Sequence, residues 1–597
     1  MSQPKLRSEI DPANQWDVDS VYASVEEWEK DFARIGDLLE PIVALKGKLD
    51  SPAAVAAVYR AEDALGMLLG KLYLYAHMRE DSDLSVGENQ ARMARMRAQY
   101  ARIGGEVAFI NPQILALPEE TIKAWMDAPE LKEYRRSLEL LLREKPHTLT
   151  EAEETLLGLA SDLFSTPQEA FGKLTNADLK FADATDAEGH AHPVSNGTFL
   201  SLLMKKDREL RRAAFGSIYA GYGDHKNTLA TLLAGSTKSH VFNARVRKFP
   251  GALEASLFRD NIPPAVYTSL IEAVDNALPA FHEYLALRAE HLGVGNDLNM
   301  WDLHTSIVPE MDLTIDWNEC RQWVEESTRP LGPEYHKVVL SSFTERWYDI
   351  YENKGKRSGA YSTGHYGQKP FMLLNYHGTL NDVFTVAHEL GHSMHSWLSQ
   401  HNQPFRYSDY PIFLAEIAST TNEALLHDYL VKTKQDPKLR AYLLNHLCDS
   451  FRGTMFRQTM FAEFELEIHR MLERGEAITA ETVSKYYYEL NARYHGPNVK
   501  ADDRIAIEWM RIPHFYYNFY VYKYATGFAA AQLFARQVLS GPTGRDQYLG
   551  FLKSGSTKDP LDTVRDAGVN LADPAVVTKA VDGFRDAVKE LRGLLKG

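Results

Sequence analysis

The chain has 597 residues, of which 44% are hydrophobic and 25% are charged, and its formal net charge is -15. A chain of this length is too long for one simple hydrophobic core and is expected to form more than one packed unit. Its composition is that of a folded globular protein and favours neither a disordered nor a fibrous chain. The acidic balance repels a polyphosphate and argues against nucleic acid as a partner.

Cysteine usage and the start of the chain narrow the class further. Cys320 and Cys448 are the only cysteines, so the sequence has neither a disulfide framework nor a cysteine-based metal motif. The opening MSQPKLRSEIDPANQW lacks the apolar stretch of a secretory signal, and no run of about 18 apolar residues follows. These features predict a cytoplasmic protein that does not enter a membrane.

The first third of the chain shows helical periodicity. Hydrophobic residues recur three and four apart behind a Ser24-x-x-Glu27 capping box, at Val25, Trp28, Phe32, Ile35 and Leu39. Ser51 and Pro52 then supply a cap and a first-turn proline for a second helix. The pattern predicts an all-helical N-terminal region.

The helical pattern breaks between residues 179 and 197, where LKFADATDAEGHAHPVSNG is rich in turn residues. We expect a short hairpin here and place a domain boundary in it, with a helical N-terminal domain over 1–190 and a helical catalytic domain over 191–597. His190 and His192 lie in this segment and are interpreted as exposed loop residues, because no further ligand completes a metal spacing.

A second break covers residues 359–378, where a glycine-containing loop precedes the apolar stretch from Pro370 to Tyr376. Turn signals on both sides of this stretch favour a short strand. The sequence therefore predicts one small β element directly before the next helix. An extended peptide pairing with this strand would be held through its backbone, which predicts broad sequence tolerance.

The next segment contains the sequence His388-Glu389-Leu390-Gly391-His392. Cap-type residues precede it and an apolar stripe with helical spacing runs through it, so the motif is predicted to lie on a helix. Two histidines four residues apart project from one face, where both can reach one metal ion.

A zinc-peptidase site needs one further protein ligand and an open position. Three candidates are His395, Glu416 and Glu423. The metzincin pattern is excluded, because it requires glycine at the position of His395 and histidine at the position of Leu398. Glu416 is favoured because it lies 24 residues after His392 on a second predicted helix, although spacing alone leaves a surface or ion-pair role equally open.

Five segments in one order resemble the thimet-oligopeptidase-like family of zinc peptidases, and most closely its oligoendopeptidase F branch. They are KRSGAYSTG at 356–364, PFMLLNY at 370–376, VFTVAHELGHSMH at 383–395, FLAEIASTTNE at 413–423 and WMRIPHFYYNFYVYKYATG at 509–527. The resemblance extends over nearly the whole chain.

This resemblance implies a mainly α-helical, two-lobed shell around a deep substrate channel, with the small β element beside the HExxH helix. It implies that His388, His392 and Glu416 bind one Zn²⁺ and that Glu389 is the general base, with Glu423 orienting a ligand histidine. It also implies that an imidazole and phenols face the substrate, for which the candidates are His514, Tyr517, Tyr520 and Tyr524. Where the wider family often has a glycine-rich stretch between these residue types, this chain has FYYNFYVYK.

The function implied is zinc-dependent hydrolysis of internal bonds in short unfolded peptides, without an acyl-enzyme. Two alternatives remain. A dipeptidyl carboxypeptidase of the same family would share the metal site, and a non-catalytic, zinc-stabilised peptide-binding scaffold would need the ligands but not Glu389.

Overall fold

The structure is a computed structural model that describes residues 4–308 and 313–596. Helix accounts for 71% of it and strand for 2%, so the predicted mainly α-helical class is confirmed. The α-helices are α1 Val25–Ala33, α2 Ile35–Val43, α3 Pro52–Ser82, α4 Gly87–Val107, α5 Ile110–Leu115, α6 Glu119–Trp125, α7 Arg135–Glu144, α8 Glu151–Lys173, α9 Phe199–Leu203, α10 Arg208–Gly223, α11 Lys226–Val246, α12 Ala252–Phe258, α13 Pro264–His291, α14 Trp317–Thr328, α15 Pro333–Thr344, α16 Leu380–Asn402, α17 Ile412–Thr433, α18 Pro437–Ser450, α19 Arg457–Glu473, α20 Ala480–His495, α21 Tyr522–Leu539, α22 Pro542–Leu552, α23 Pro560–Asp566 and α24 Ala575–Lys596.

Two small sheets interrupt the helices. β1 (Ala184–Thr185) and β2 (Ala191–His192) form the predicted antiparallel hairpin. In the second sheet, β5 (Phe371–Leu373) lies between β3 (Tyr348–Asp349), which is parallel to it, and β4 (Tyr361–Thr363), which is antiparallel.

The predicted strand before the motif is present as β5. The prediction that a substrate peptide pairs with this strand is wrong. Both of its edges are already hydrogen-bonded to neighbouring strands, so no backbone groups remain for a substrate. The edge strands of this sheet are β3 and β4. The sequence alone did not reveal this, because two- and three-residue strands carry too little alternation to be recognised.

The chain divides into two compact units, each built from three segments. Among the described residues, the first unit comprises 4–151, 313–429 and 534–567, and the second comprises 152–308, 430–533 and 568–596. This division differs from the predicted boundary between 190 and 191, which falls inside the second unit. Strand β1 of the hairpin packs on α10, so this segment belongs to the second unit and is not a linker between domains.

The first unit has a continuous apolar core between its N-terminal helices and the sheet. Trp28, Leu72 and Met96 are fully buried or nearly so, and Phe371 and Leu373 of β5 belong to the same cluster. This packing anchors the sheet, and β4 and β5 in turn contact α16. The segment that carries the metal motif is thus set against a rigid layer.

Two further features concern the described residues as a whole. Cys320 and Cys448 are both buried and free, as expected for structural thiols. A search of the described helices for one that is both long and apolar enough to cross a bilayer finds none.

Candidate metal centre

Helix α16 carries the HExxH sequence and begins at a capping box. The Thr379 side chain accepts a hydrogen bond from the Asp382 backbone N–H at 3.2 Å, and the Asp382 carboxylate accepts one from the Thr379 N–H at 2.9 Å. Val383, Leu390 and Met394 are fully buried, so one face of the helix is fixed in the core. His388 and His392 project together from another face, and Glu389 beside them is 7% exposed.

Helix α17 brings two carboxylates to these histidines. Glu416 and Glu423 are seven residues apart on it, so they lie two turns apart on one face. A close approach of the two helices makes this possible at Gly391, since a Cβ atom there would lie 2.5 Å from the Ser419 Cα atom and 2.8 Å from the Ala418 carbonyl oxygen. Gly391 was not among the predicted site residues, although a glycine inside a helical pattern often has a packing reason of this kind.

Three ligand atoms converge in front of the two helices. His388 Nε2 lies 3.5 Å and His392 Nε2 lies 3.7 Å from the same oxygen of Glu416. Ligands on a tetrahedral zinc ion with bonds of about 2.0–2.1 Å are about 3.3 Å apart. Within the described part of the chain, this is the one His/Cys/Asp/Glu group whose possible ligand atoms all lie within 4.8 Å of one another. The donor set therefore fits a zinc ion.

Hydrogen bonds orient both imidazole rings. His388 Nδ1 lies 2.6 Å from a Glu423 carboxylate oxygen, so a proton on Nδ1 is held there and Nε2 is the nitrogen that faces Glu416. The His392 ring is hydrogen-bonded to the Ala415 backbone carbonyl, one residue before Glu416. Helix α17 thus supplies a carboxylate to the group and also fixes the orientation of the other two members.

The electrostatics of the group favour a bound cation. Burial raises the pKa of Glu389 to about 7, helped by the nearby Glu416 and Glu423 charges and opposed by His388 and by the Ser362 backbone N–H. Burial lowers the pKa of His392 to about 3, and the charge on His388 adds to this. Burial also disfavours charge on His388, but the Glu423 hydrogen bond and the surrounding carboxylates outweigh it and raise its pKa to about 9. Three carboxylates share this site with two imidazoles, and a divalent cation would balance them.

His395 was one of the three candidates for the third metal ligand, and it does not belong to the group of converging ligand atoms. Its side chain is 1% exposed, and its ring stacks on Tyr410 with centroids 3.6 Å apart. Burial lowers its pKa to about 3. It serves the packing of α16.

The segment from His514 to Tyr524 lies in the second unit and forms an aromatic cluster. The His514 ring centroid is 5.5 Å from that of Tyr517, 6.2 Å from Tyr520 and 6.0 Å from Tyr524. Tyr517 is 44% exposed, and burial lowers the pKa of His514. The three predicted tyrosines are therefore gathered around the His514 imidazole, and none of the four residues is a fully buried core residue.

The other two histidines noted in the sequence lie in the β1–β2 hairpin, His190 at the end of its turn and His192 in strand β2. His192 Nε2 is 2.9 Å and His190 Nδ1 is 3.3 Å from Asp186. His190 is 68% exposed, as expected for a loop residue, whereas His192 is partly buried in strand β2 and the loop prediction is wrong for it.

Comparisons with known proteins agree with this arrangement. The family model described as peptidase family M3 matches residues 201–582, and the model described as oligopeptidase F matches residues 113–181. The chain is 40% identical to oligopeptidase PepF of Bacillus subtilis, over 99% of this chain and 88% of the relative. It is also 40% identical to the chromosomal oligoendopeptidase F of Lactococcus lactis subsp. cremoris, over 99% of both chains.

Solved structures show the same fold. A Chlamydophila abortus protein described as a peptidase matches with a TM-score of 0.93 and 36% identity, over 99% of this chain and all of its own. The oligoendopeptidase-F from Enterococcus faecium matches with a TM-score of 0.74 and 34% identity, over 96% of this chain and 99% of its own. With both kinds of match covering nearly its full length, the chain belongs to peptidase family M3, and within that family to the oligoendopeptidase F group.

Proposed function

We propose that this family M3 peptidase is a zinc-dependent oligoendopeptidase that hydrolyses internal bonds of short unfolded peptides. The observation that carries the proposal is the convergence of two histidine nitrogens on one Glu416 oxygen, with the buried Glu389 next to them in the same helix. A two-nitrogen, one-oxygen donor set is typical of catalytic zinc, because it leaves a position open for substrate.

In this proposal His388, His392 and Glu416 hold one zinc ion. When bound, zinc polarises the scissile carbonyl and makes water acidic enough to react near neutral pH. Glu423 holds the proton of His388 Nδ1, so that Nε2 keeps its lone pair for the ion.

Glu389 acts as the general base. Its carboxylate takes a proton from the attacking water and passes that proton to the leaving amine, so the peptide bond is hydrolysed without an acyl-enzyme. What supports this role is its position, since Glu389 is buried and adjoins His388 in the same helix, where its carboxylate lies beside the proposed zinc ligands.

His514, Tyr517, Tyr520 and Tyr524 are proposed to donate hydrogen bonds to the substrate, including the oxygen that becomes negative in the transition state. Their clustering around one imidazole supports the assignment. Burial favours the neutral imidazole of His514, and a neutral ring with one N–H still donates one hydrogen bond.

One experiment separates this proposal from its two rivals. The purified protein is incubated with a peptide of about ten residues blocked at both ends, with and without a chelator, and the products are identified by mass spectrometry. We expect internal cuts that chelation abolishes and zinc restores.

Cleavage that requires a free C-terminal carboxylate would instead establish a dipeptidyl carboxypeptidase. Zinc binding that raises the melting temperature, without hydrolysis of any peptide, would establish the scaffold. Internal cleavage that survives complete removal of metal would contradict the proposed mechanism.

A further inference from the structure

A strained turn lies inside the aromatic segment of the second unit. Asn518 and Phe519 have φ angles of 51° and 58°, in the left-handed region that side chains with a Cβ avoid. In the described residues five non-glycine positions have positive φ, and these two are the only neighbours among them. Each such residue is strained and persists only where its surroundings hold it.

A buried carboxyl group on another element holds this turn. Glu465 in helix α19 is 0% exposed, and its Oε1 accepts a hydrogen bond from the Phe519 backbone N–H at 2.5 Å. Its Oε2 has no hydrogen-bond partner among the described residues. The Ser256 hydroxyl donates to the Asn518 carbonyl at 2.9 Å from the other side. The carbonyl and the N–H of the Asn518–Phe519 peptide bond are therefore each held by a side chain from a distant part of the sequence.

Aromatic packing completes the restraint. The Phe519 ring is 1% exposed and meets Tyr267 edge to face, with centroids 5.6 Å apart. It also packs on His469, one turn after Glu465 on α19, at 4.3 Å. His469 is itself held between His240, 3.1 Å from its Nε2, and the Glu465 backbone carbonyl, 2.8 Å from its Nδ1.

The position of the turn in the sequence gives it a consequence for the site. His514 and Tyr517 precede it, and Tyr520 and Tyr524 follow it, so its backbone angles decide whether the four rings meet. A flexible segment would have to order these groups in every catalytic cycle, and preorganised donors avoid that cost. Burying a carboxyl with one unpaired oxygen is unfavourable for stability, which argues against a purely structural reason for glutamate at this position.

We propose that Glu465 is a positioning residue, which clamps the left-handed turn at Asn518 and Phe519 and so presents His514 and the tyrosines as one preformed set of donors. This inference rests on the substrate role given to those four residues in the proposed function. Glu465 itself touches no substrate.

The test compares Glu465→Gln, which keeps an acceptor oxygen, with Glu465→Met, which removes it at similar volume. Amide hydrogen exchange of the segment around Phe519 reports the clamp directly, and kcat and KM are measured on the zinc-loaded enzyme. We expect Glu465→Met to exchange at least about tenfold faster and to lose about tenfold or more in kcat, with a smaller change in KM. Glu465→Gln should stay close to the wild type in its exchange rate and in its kcat.

Two further variants separate positioning from general destabilisation. Leu466→Ala, at the neighbouring buried position in α19, lowers stability without touching the clamp and should keep its kcat. Asn518→Gly combined with Glu465→Met should recover part of the lost kcat, because glycine adopts the left-handed conformation without a Cβ penalty.

The inference is overturned if Glu465→Met leaves exchange at Phe519 unchanged, if exchange rises while kcat does not fall, or if Leu466→Ala loses as much kcat at equal stability. Failure of the proposed function gives a different result. In that case His514→Ala and the Tyr→Phe variants keep full kcat, while the exchange difference between Glu465→Met and Glu465→Gln persists.

Discussion

At the scale of single residues, Glu423 tests what a side chain outside the proposed ligand set contributes. It lies 2.6 Å from His388 Nδ1, and partners of this kind typically change metal affinity by about 10–100-fold. We therefore expect Glu423→Ala to weaken zinc binding by about that factor, measured by competition with a chromogenic chelator. Glu423→Gln, which keeps an acceptor oxygen, should lose less.

Equal zinc affinity in Glu423→Ala and the wild type would show that the hydrogen bond does not orient the ligand. The family resemblance implied that Glu423 orients a ligand histidine, but the local sequence did not say which histidine it contacts. Its contact with His388 depends on the spacing of two helices, and that spacing is not encoded in the local pattern of either one.

At the scale of elements, the close packing of α16 on α17 assembles the site. A methyl group on residue 391 would meet backbone atoms of α17 at 2.5–2.9 Å, and backbone cannot move aside as a flexible side chain does. Overpacking of this kind costs about 1–3 kcal/mol. We expect Gly391→Ala to lower both the melting temperature and the zinc content, because Glu416 and Glu423 move away together.

Gly104→Ala is the matched control. Gly104 also lies inside a helix of the first unit, is exposed, and has nothing within 4 Å of its missing Cβ. Alanine there should leave zinc content unchanged and raise stability slightly, by about 0.5–1 kcal/mol. Full zinc content in Gly391→Ala would contradict the idea that helix spacing sets the site.

The same scale shows why some elements were predictable from the sequence. The caps at Ser24, Ser51 and Thr379 mark helix starts that the structure contains, because capping is a local interaction. The stripe from Val25 to Leu39 predicted one helix, but the chain breaks between α1 and α2 after Ala33. Hydrophobic spacing continues across that break, since both helices bury the same side against one core.

At the scale of the whole molecule, the division into units was not readable from the sequence. Each unit gathers three distant segments, whereas composition and turn signals report only where the local pattern changes. The candidate metal site was easier to predict from the sequence. His388, Glu389 and His392 lie in one motif, and Glu416 lies in a neighbouring helix. The contact between Glu465 and the turn could not be predicted from the sequence, because it joins residues that are 54 positions apart.

Acid stability is a further property of the second unit. Glu508 is 4% exposed. Burial disfavours its charge, but Arg457, Arg511 and their hydrogen bonds outweigh this and lower its pKa to about 2. The unfolded carboxyl titrates near 4.5, so folding stability from this group is present above that pH and is lost as pH falls towards 2. The loss is about 3 kcal/mol.

Melting temperatures of metal-free wild type and Glu508→Gln between about pH 3 and 7 measure this contribution. Near neutral pH the variant should be the less stable protein, since Arg457 loses its charged partner. The difference should shrink as the pH is lowered. A difference that is constant across this range would show that the Glu508 charge does not stabilise the fold.

In the proposed mechanism Glu389 transfers protons at a zinc ion held by its neighbours, and Glu389→Gln removes this capacity while keeping the shape of the side chain. Zinc content and cleavage of a doubly blocked peptide are measured on the same preparation, with wild type beside it. We predict one zinc per chain in both proteins and a fall in kcat of about 10²–10⁴-fold or more in the variant. Wild-type cleavage by zinc-loaded Glu389→Gln would contradict the account.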